Sequence, residues 1–233
     1  MMANQAVVLL SGGMDSVAVM HWAKPRYEAL VAFLFDYGQQ NRDQELTAAG
    51  KLARELGVPT MSFALADALP RGRGILKSIG DHDGLIEGLS PAFVPGRNLL
   101  FITSAAAHGS VHFQNGNFDV VIGANGQDAK RFPDCSHGAL VKLSQALRHG
   151  VAMEVNVVAP FVDRTKEQIL RGLGEAALDA VSRSWSCYRN AGPCGTCSAC
   201  VLRTEAFEAA ELVDFCEPSV LTGGDLGREA AFK

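Results

Sequence analysis

The sequence predicts an α/β protein built on a doubly wound parallel sheet, and three observations carry that reading. Short unbroken apolar runs, suited to strands buried on both faces, recur along the chain. Segments with helical spacing of apolar and alanine positions alternate with them. A Gly-rich polar turn follows the first run directly, as where a strand feeds a helix. Taken in order, residues 6–10 form the first strand and residues 15–23 a helix that Pro25 ends. Residues 29–35 form the second strand, stopped at Asp36, Tyr37 and Gly38. Over residues 42–56, Leu46, Ala49, Leu52, Ala53 and Leu56 fall on one helical stripe, which Gly57 and Pro59 terminate. Strands return at 60–63, 119–123 and 154–158, and helices at 97–108, 140–149, 165–173 and 199–210. Residues 67–92, rich in Gly, Asp and Pro, read as a long loop or lid across one sheet edge, a length that usually serves a site.

Composition bounds the function. Of 233 residues, 48% are hydrophobic and 20% charged, which excludes a largely disordered chain. The longest apolar run, residues 29–35, is far short of the ~20 residues needed to span a bilayer. No basic leader precedes the first strand, so a cytoplasmic protein is expected. A net charge of -4 argues against coating nucleic acid. One domain over 1–216 is expected, including a metal-binding segment at 185–203, with 217–233 a peripheral tail.

The first motif is the turn Ser11-Gly12-Gly13-Met14-Asp15-Ser16, flanked by Leu10 and Val17. Its glycines let the backbone turn sharply and bring N–H groups close to an anion. Ser11 and Ser16 add hydroxyl donors, and the following helix adds its positive N-terminal end. The Walker lysine is absent. Asp15 would repel phosphate by itself, so it is assigned to holding Mg²⁺ or acting at the reacting group.

The second motif is Cys187, Cys194, Cys197 and Cys200, spaced C-x6-C-x2-C-x2-C. Short Cys-x2-Cys turns place two thiolates on one side of a cation, and four thiolates close a tetrahedral zinc site with no open position. An iron–sulfur run of the ferredoxin type would need a cysteine where Thr204 stands. The zinc is therefore structural. Cys135 and Cys216 stand apart, Cys216 as a small buried hydrophobe.

The loop resembles that of the PP-loop ATP pyrophosphatases, a Rossmann-like group of the HUP type, which cleave ATP between the α and β phosphates. Further segments resemble the 7-cyano-7-deazaguanine synthases within it: Phe35-Asp36-Tyr37-Gly38-Gln39, Phe93-Val94-Pro95-Gly96-Arg97-Asn98, Phe132-Pro133-Asp134-Cys135, Trp185-Ser186-Cys187-Tyr188, and the run from Cys194 to Arg203. The likeness extends over residues 7–207 in the same order. It implies an ATP-dependent ligase that adenylates 7-carboxy-7-deazaguanine and converts it with ammonia, through the amide, to the nitrile. It also implies a homodimer and one zinc per chain. Departures fall on the acceptor side. Gly38-Gln39-Gln40-Asn41 replaces the family's G-Q-R-H, Gly126-Gln127-Asp128-Ala129-Lys130-Arg131 replaces E-T-D-F-S-G, and Thr204-Glu205-Ala206 replaces a Gly-containing ending.

For this chemistry Arg97 can clamp phosphate oxygens and Lys166 can neutralise charge developing on them. Phe93 and Asp134 are assigned to the substrate. Asp134 either bonds the aminopyrimidine edge of a deazapurine or caps the turn after Pro133, and the sequence leaves both open. The departures keep alive a relative that transfers the activated carboxylate to another amine, including one on a protein. A tRNA thiolase would need reactive cysteines beyond the four committed to metal, and a nucleotide-binding module without turnover would give no products.

Overall fold

The computed structural model describes residues 3–65, 67–69, 88–90, 92–114, 116–189 and 192–216. Most of the expected 67–92 loop and the expected 217–233 tail lie outside the described residues. Among the described residues, five strands form one sheet: β1 (Gln5–Leu9), β2 (Ala29–Asp36), β3 (Thr60–Ala64), β4 (Phe118–Val121) and β5 (Val155–Val158). Their order is β3-β2-β1-β4-β5, and every pairing is parallel. The expected doubly wound sheet is what the chain builds.

Helices cover both faces because alternate strand residues are apolar on both. Ala6, Val8 and Leu10 point to one core with α1 (Met14–Ala23), α2 (Arg42–Glu55), α5 (Lys166–Arg171), α6 (Glu175–Ser182) and α7 (Ser198–Ala210). Val7 and Leu9 point to the other, with Phe33, Phe118, α3 (Arg97–His112) and α4 (His137–Gly150). Among the described residues, no helix is long and apolar enough to cross a membrane.

Element limits differ from expectation where side chains outside the apolar pattern act. Helix α4 starts at His137 rather than at 140, because the Ser136 hydroxyl accepts the Ala139 N–H and caps it. Helix α3 runs on to His112, four residues past the expected end. Helix α6 lies outside the expected elements: Gly174 is its N-cap, and it buries Ala177, Ala180 and Val181. A 3₁₀ turn at Pro133–Cys135 was likewise missed.

Gly109 fixes how closely α3 approaches the sheet. A Cβ there would lie 2.5 Å from Phe118 Cε2 and 3.1 Å from Val7 Cγ2. Alanine would gain helix propensity worth about 1 kcal/mol, but crowding a packed core costs about 1–3 kcal/mol, so crowding should win. Gly109→Ala is expected to lower the melting temperature by several degrees, measured by calorimetry.

Candidate active site and metal centre

Strands β1 and β4 are neighbours whose chains leave toward opposite faces of the sheet. A crevice therefore opens beyond their carboxyl ends, where open α/β sheets place ligands. The loop at residues 10–17 occupies this point. Leu10 N–H continues the ladder to Phe33 O at 2.9 Å, and Leu10 and Val17 are buried in the core. Ser11 Oγ donates to Ser16 Oγ at 3.1 Å, and Ser16 Oγ donates to Gly13 O at 2.9 Å. Gly13, the N-cap of α1, receives no side-chain cap, so the first N–H groups of α1 are left for a ligand. Gly12 has φ +81, and a Cβ there would lie 2.7 Å from Glu45 O. Gly123 at the end of β4 is equally constrained, its Cβ position being 2.8 Å from the Asp15 carbonyl carbon.

Asp15, in the first turn of α1, forms an ion pair with Lys166, which starts α5. Lys166 is only 7% exposed. Thr165 and Gln168 close a capping box at its helix, and Gln127 Oε1 accepts the Lys166 N–H at 3.1 Å. Asn125 Nδ2 donates to Asp15 Oδ1 at 3.3 Å. Burial acts to lower the Lys166 pKa, but the Asp15 and Asp128 carboxylates outweigh it and leave it raised. Asp128 is pushed up to about 6, first by burial and then by Asp15, against the pull of Lys166. Its Oδ2 accepts the Asn125 N–H at 3.2 Å. Asp15 and Asp128 offer the hard oxygen ligands that Mg²⁺ takes.

These groups open onto a cleft of about 250 Å³. Arg97, the first residue of α3, lies in its wall, with its guanidinium 5.7 Å from the Tyr37 ring and 6.0 Å from the Phe132 ring. Burial pushes the Tyr37 hydroxyl well above its ordinary range, so this ring stays neutral beside Arg97. Arg131, Phe132, Cys135, Trp185 and Tyr188 also line the cleft. Asn98 Nδ2 donates to Cys135 Sγ at 3.0 Å, and burial raises that thiol far above its ordinary value.

The two residues assigned to substrate do not stand in this wall. Phe93 packs against Phe132, with ring centroids 6.4 Å apart. Asp134 Oδ2 accepts the Asn98 N–H at 3.0 Å and so caps α3; its Oδ1 is buried with no partner among the described residues. Of the departures from the family pattern, Arg131 faces the cleft and Lys130 is exposed outside it. Asn41 is not a pocket residue: 1% exposed, it donates to Glu45 Oε1 at 3.0 Å and to Cys187 O at 2.8 Å. Glu45, in the cleft wall, was not singled out from sequence; burial raises its pKa against the hydrogen bonds from Gln39 and Asn41. Trp185 and Tyr188 were visible only as neighbours of Cys187.

The four cysteines converge beside the cleft. Their Sγ atoms all lie within 4.8 Å of one another. A tetrahedral thiolate site with metal–sulfur bonds of about 2.3 Å needs sulfurs about 3.8 Å apart, so the set fits. Cys187 Sγ accepts N–H from Arg189 and Cys194 at 3.3 and 3.4 Å, and Cys194 Sγ accepts the Cys197 N–H at 3.3 Å. These bonds hold the sulfurs in place and stabilise negative charge on them. Cys216 is half-buried and borders the same corner, beside Cys187 and Cys200.

Fold and site together define a parallel α/β protein with a lysine-free Gly-rich loop at its switch point and, next to it, four cysteines placed so that they could hold a metal. A family model described as "Queuosine biosynthesis protein QueC" matches residues 5–211, and the chain belongs to that family. The 7-cyano-7-deazaguanine synthase of Chromobacterium violaceum is 35% identical over 219 residues, covering 91% of this chain and 92% of its own. The protein of that name from Trichodesmium erythraeum is 33% identical over 223 residues, covering 90% and 98%. Among solved structures, the U34-tRNA thiolase NcsA of Methanococcus maripaludis superposes with a TM-score of 0.48 at 16% identity, over 89% of this chain and 64% of its own.

Two outcomes are expected. Cys197→Ser should lose metal and lower the melting temperature, because binding and local folding are coupled; metal analysis and calorimetry check both. Asp128 has a folded-state pKa of about 6 against an ordinary 3.8, so its ionisation disfavours the folded state increasingly as pH rises between those values. Asp128→Asn should therefore raise the melting temperature above about pH 6 and make no difference below about pH 4.

Proposed function

We propose that this protein is an ATP-dependent, AMP-forming ligase that activates the carboxylate of 7-carboxy-7-deazaguanine and converts it with ammonia, through the amide, to 7-cyano-7-deazaguanine. The observation that carries the reading is the lysine-free loop whose Asp15 meets Lys166 at the switch point, in a chain of the QueC family. A carboxylate is a poor electrophile because its leaving group would be oxide. Its oxygen attacks the α phosphorus of ATP and pyrophosphate leaves. Ammonia then attacks the acyl carbon and expels AMP. The amide oxygen repeats the attack on a second ATP, and loss of AMP with the amide protons leaves the nitrile.

The chain's own groups divide this work. The N–H groups of the 11–16 loop and the N-terminus of α1 hold the β and γ phosphates. Lys166, kept cationic by two carboxylates, offsets charge developing on the phosphates as the bond breaks. Arg97, braced by Tyr37 and Phe132, clamps a phosphate or the substrate carboxylate. Asp15 and Asp128 would hold Mg²⁺, which neutralises triphosphate charge when bound. The cysteines hold zinc, which closes the C-terminal segment and takes no part in bond making. Flat rings of Phe132, Trp185 and Tyr188 give a deazapurine surfaces to stack on. The reading extends to residues 1–216 acting as one domain of a cytoplasmic homodimer.

Mass spectrometry of products from 7-carboxy-7-deazaguanine, ATP and ammonium tests the proposal. Nitrile with two AMP and two pyrophosphate per turnover is the expected result, and Lys130→Ala with Arg131→Ala should leave product identity unchanged. ADP with orthophosphate would overturn the ATP chemistry; one AMP with an amine adduct would assign transfer to another acceptor. Asp15→Ala and Ser16→Ala should each reduce the rate, on the order of 100-fold or more for Asp15, with metal content intact.

A further inference from the structure

We infer that Arg203 couples the metal centre to the phosphate loop, so that metal and nucleotide bind cooperatively through one buried guanidinium. The inference rests on the nucleotide reading above and assigns a positioning residue to the same site.

Arg203 is 3% exposed and lies on α7 one turn beyond Cys200. Its Nε and Nη2 bond the Asp214 carboxylate at 2.6 and 2.8 Å. Nη2 also donates to Val181 O at 3.0 Å and Ser182 O at 2.9 Å. Nη1 donates to Ser184 O at 3.0 Å, Ser184 Oγ at 2.8 Å and Ser186 Oγ at 3.1 Å. One side chain thus holds the end of α6 and the irregular strap that follows it. A lysine ammonium is a point donor and cannot span these carbonyls and Asp214 together.

The strap ends at both functional centres. Trp185 N–H donates to Gly12 O at 2.9 Å, inside the phosphate loop. Carbonyl and N–H point in opposite directions across a trans peptide, so fixing Gly12 O aims the Gly13 N–H away from Trp185. That N–H is held now only by Ser11 Oγ, at 3.3 Å. At the other end, Trp185 Nε1 and Asn41 Nδ2 both donate to Cys187 O, at 2.7 and 2.8 Å. The path closes on itself: Cys187 and Cys200 share the metal, Cys200 sets the turn of α7 that bears Arg203, and Arg203 holds the strap between Cys187 and Gly12. Metal bound to the cysteines therefore orders a loop donor, and nucleotide on the loop orders the cysteines. Linkage makes the two effects equal.

The test uses zinc-loaded full-length protein and follows zinc release to a chelating dye, with and without an ATP analogue carrying a methylene bridge between the α and β phosphates. In the wild type the analogue should slow release about tenfold, within the usual range of such couplings. Arg203→Met, loaded with one zinc, should lose this protection to below about twofold and bind the analogue about tenfold more weakly. Arg203→Lys should behave alike, and its retained charge opposite Asp214 keeps a folded variant in hand. A purely structural role would lower the melting temperature yet leave the ratio of release rates unchanged. That result, or undiminished analogue affinity in both variants, overturns the coupling. Wild-type protein that binds the analogue with no change in zinc release also overturns it while the proposed function stands. Wild-type protein that does not bind the analogue overturns the proposed function itself, and the coupling with it.

Discussion

Two parallel strands, β1 and β4, lie side by side and send their chains to opposite faces of the sheet, and nothing in the sheet itself can cover the gap this leaves. Every functional element is an answer to that geometry. The β1 turn enters the gap and must pack so tightly on α2 that Gly12 admits no side chain. The end of β4 passes so close to Asp15 that Gly123 admits none either. Beyond β5, the chain turns back at Phe161, bridged to Asn125, and delivers Lys166 opposite Asp15.

The charges gathered there are costly by design of the site rather than of the fold. Lys166 is withdrawn from water while Asp15 stays partly exposed, and burial raises the Asp128 pKa against the pull of Lys166. Cationic Lys166 and the uncapped start of α1 instead make a field suited to a polyanion, held in place before it arrives. Asp15 pairs with Lys166, Asn125 donates to Asp15, and Gln127 accepts the Lys166 backbone N–H.

The C-terminal segment buries Ala206, Phe207 and Ala210 in the core, and specific polar links tie it to the site. Arg203 gathers carbonyls that no strand satisfies, and Asn41 reaches from the start of α2 to Cys187. This changes the meaning of the sequence departure at Asn41. A residue that looks like a lost imidazole in a substrate pocket is a buried strut between α2 and the metal centre.

Sequence by itself determined the elements and the chemistry that depends on neighbours in the chain. Among the described residues, apolar runs and helical stripes marked the five strands and six of the seven α-helices, because burial on both faces of a parallel sheet leaves a periodic record. The Ser-Gly-Gly turn into α1 and the convergence of the four cysteines were equally legible, since a strand-to-helix turn and closely spaced thiols are local constructions. Helix α6 escaped because Gly172 and Gly174 precede it and its buried stripe is mostly alanine. Only the tertiary structure decided what distance along the chain conceals: that Lys166 meets Asp15, that Asp134 meets the start of α3 at Asn98, and that Trp185 closes on Gly12. Those pairings depend on which strands become neighbours, and strand order is set by packing across the sheet, which no local pattern encodes.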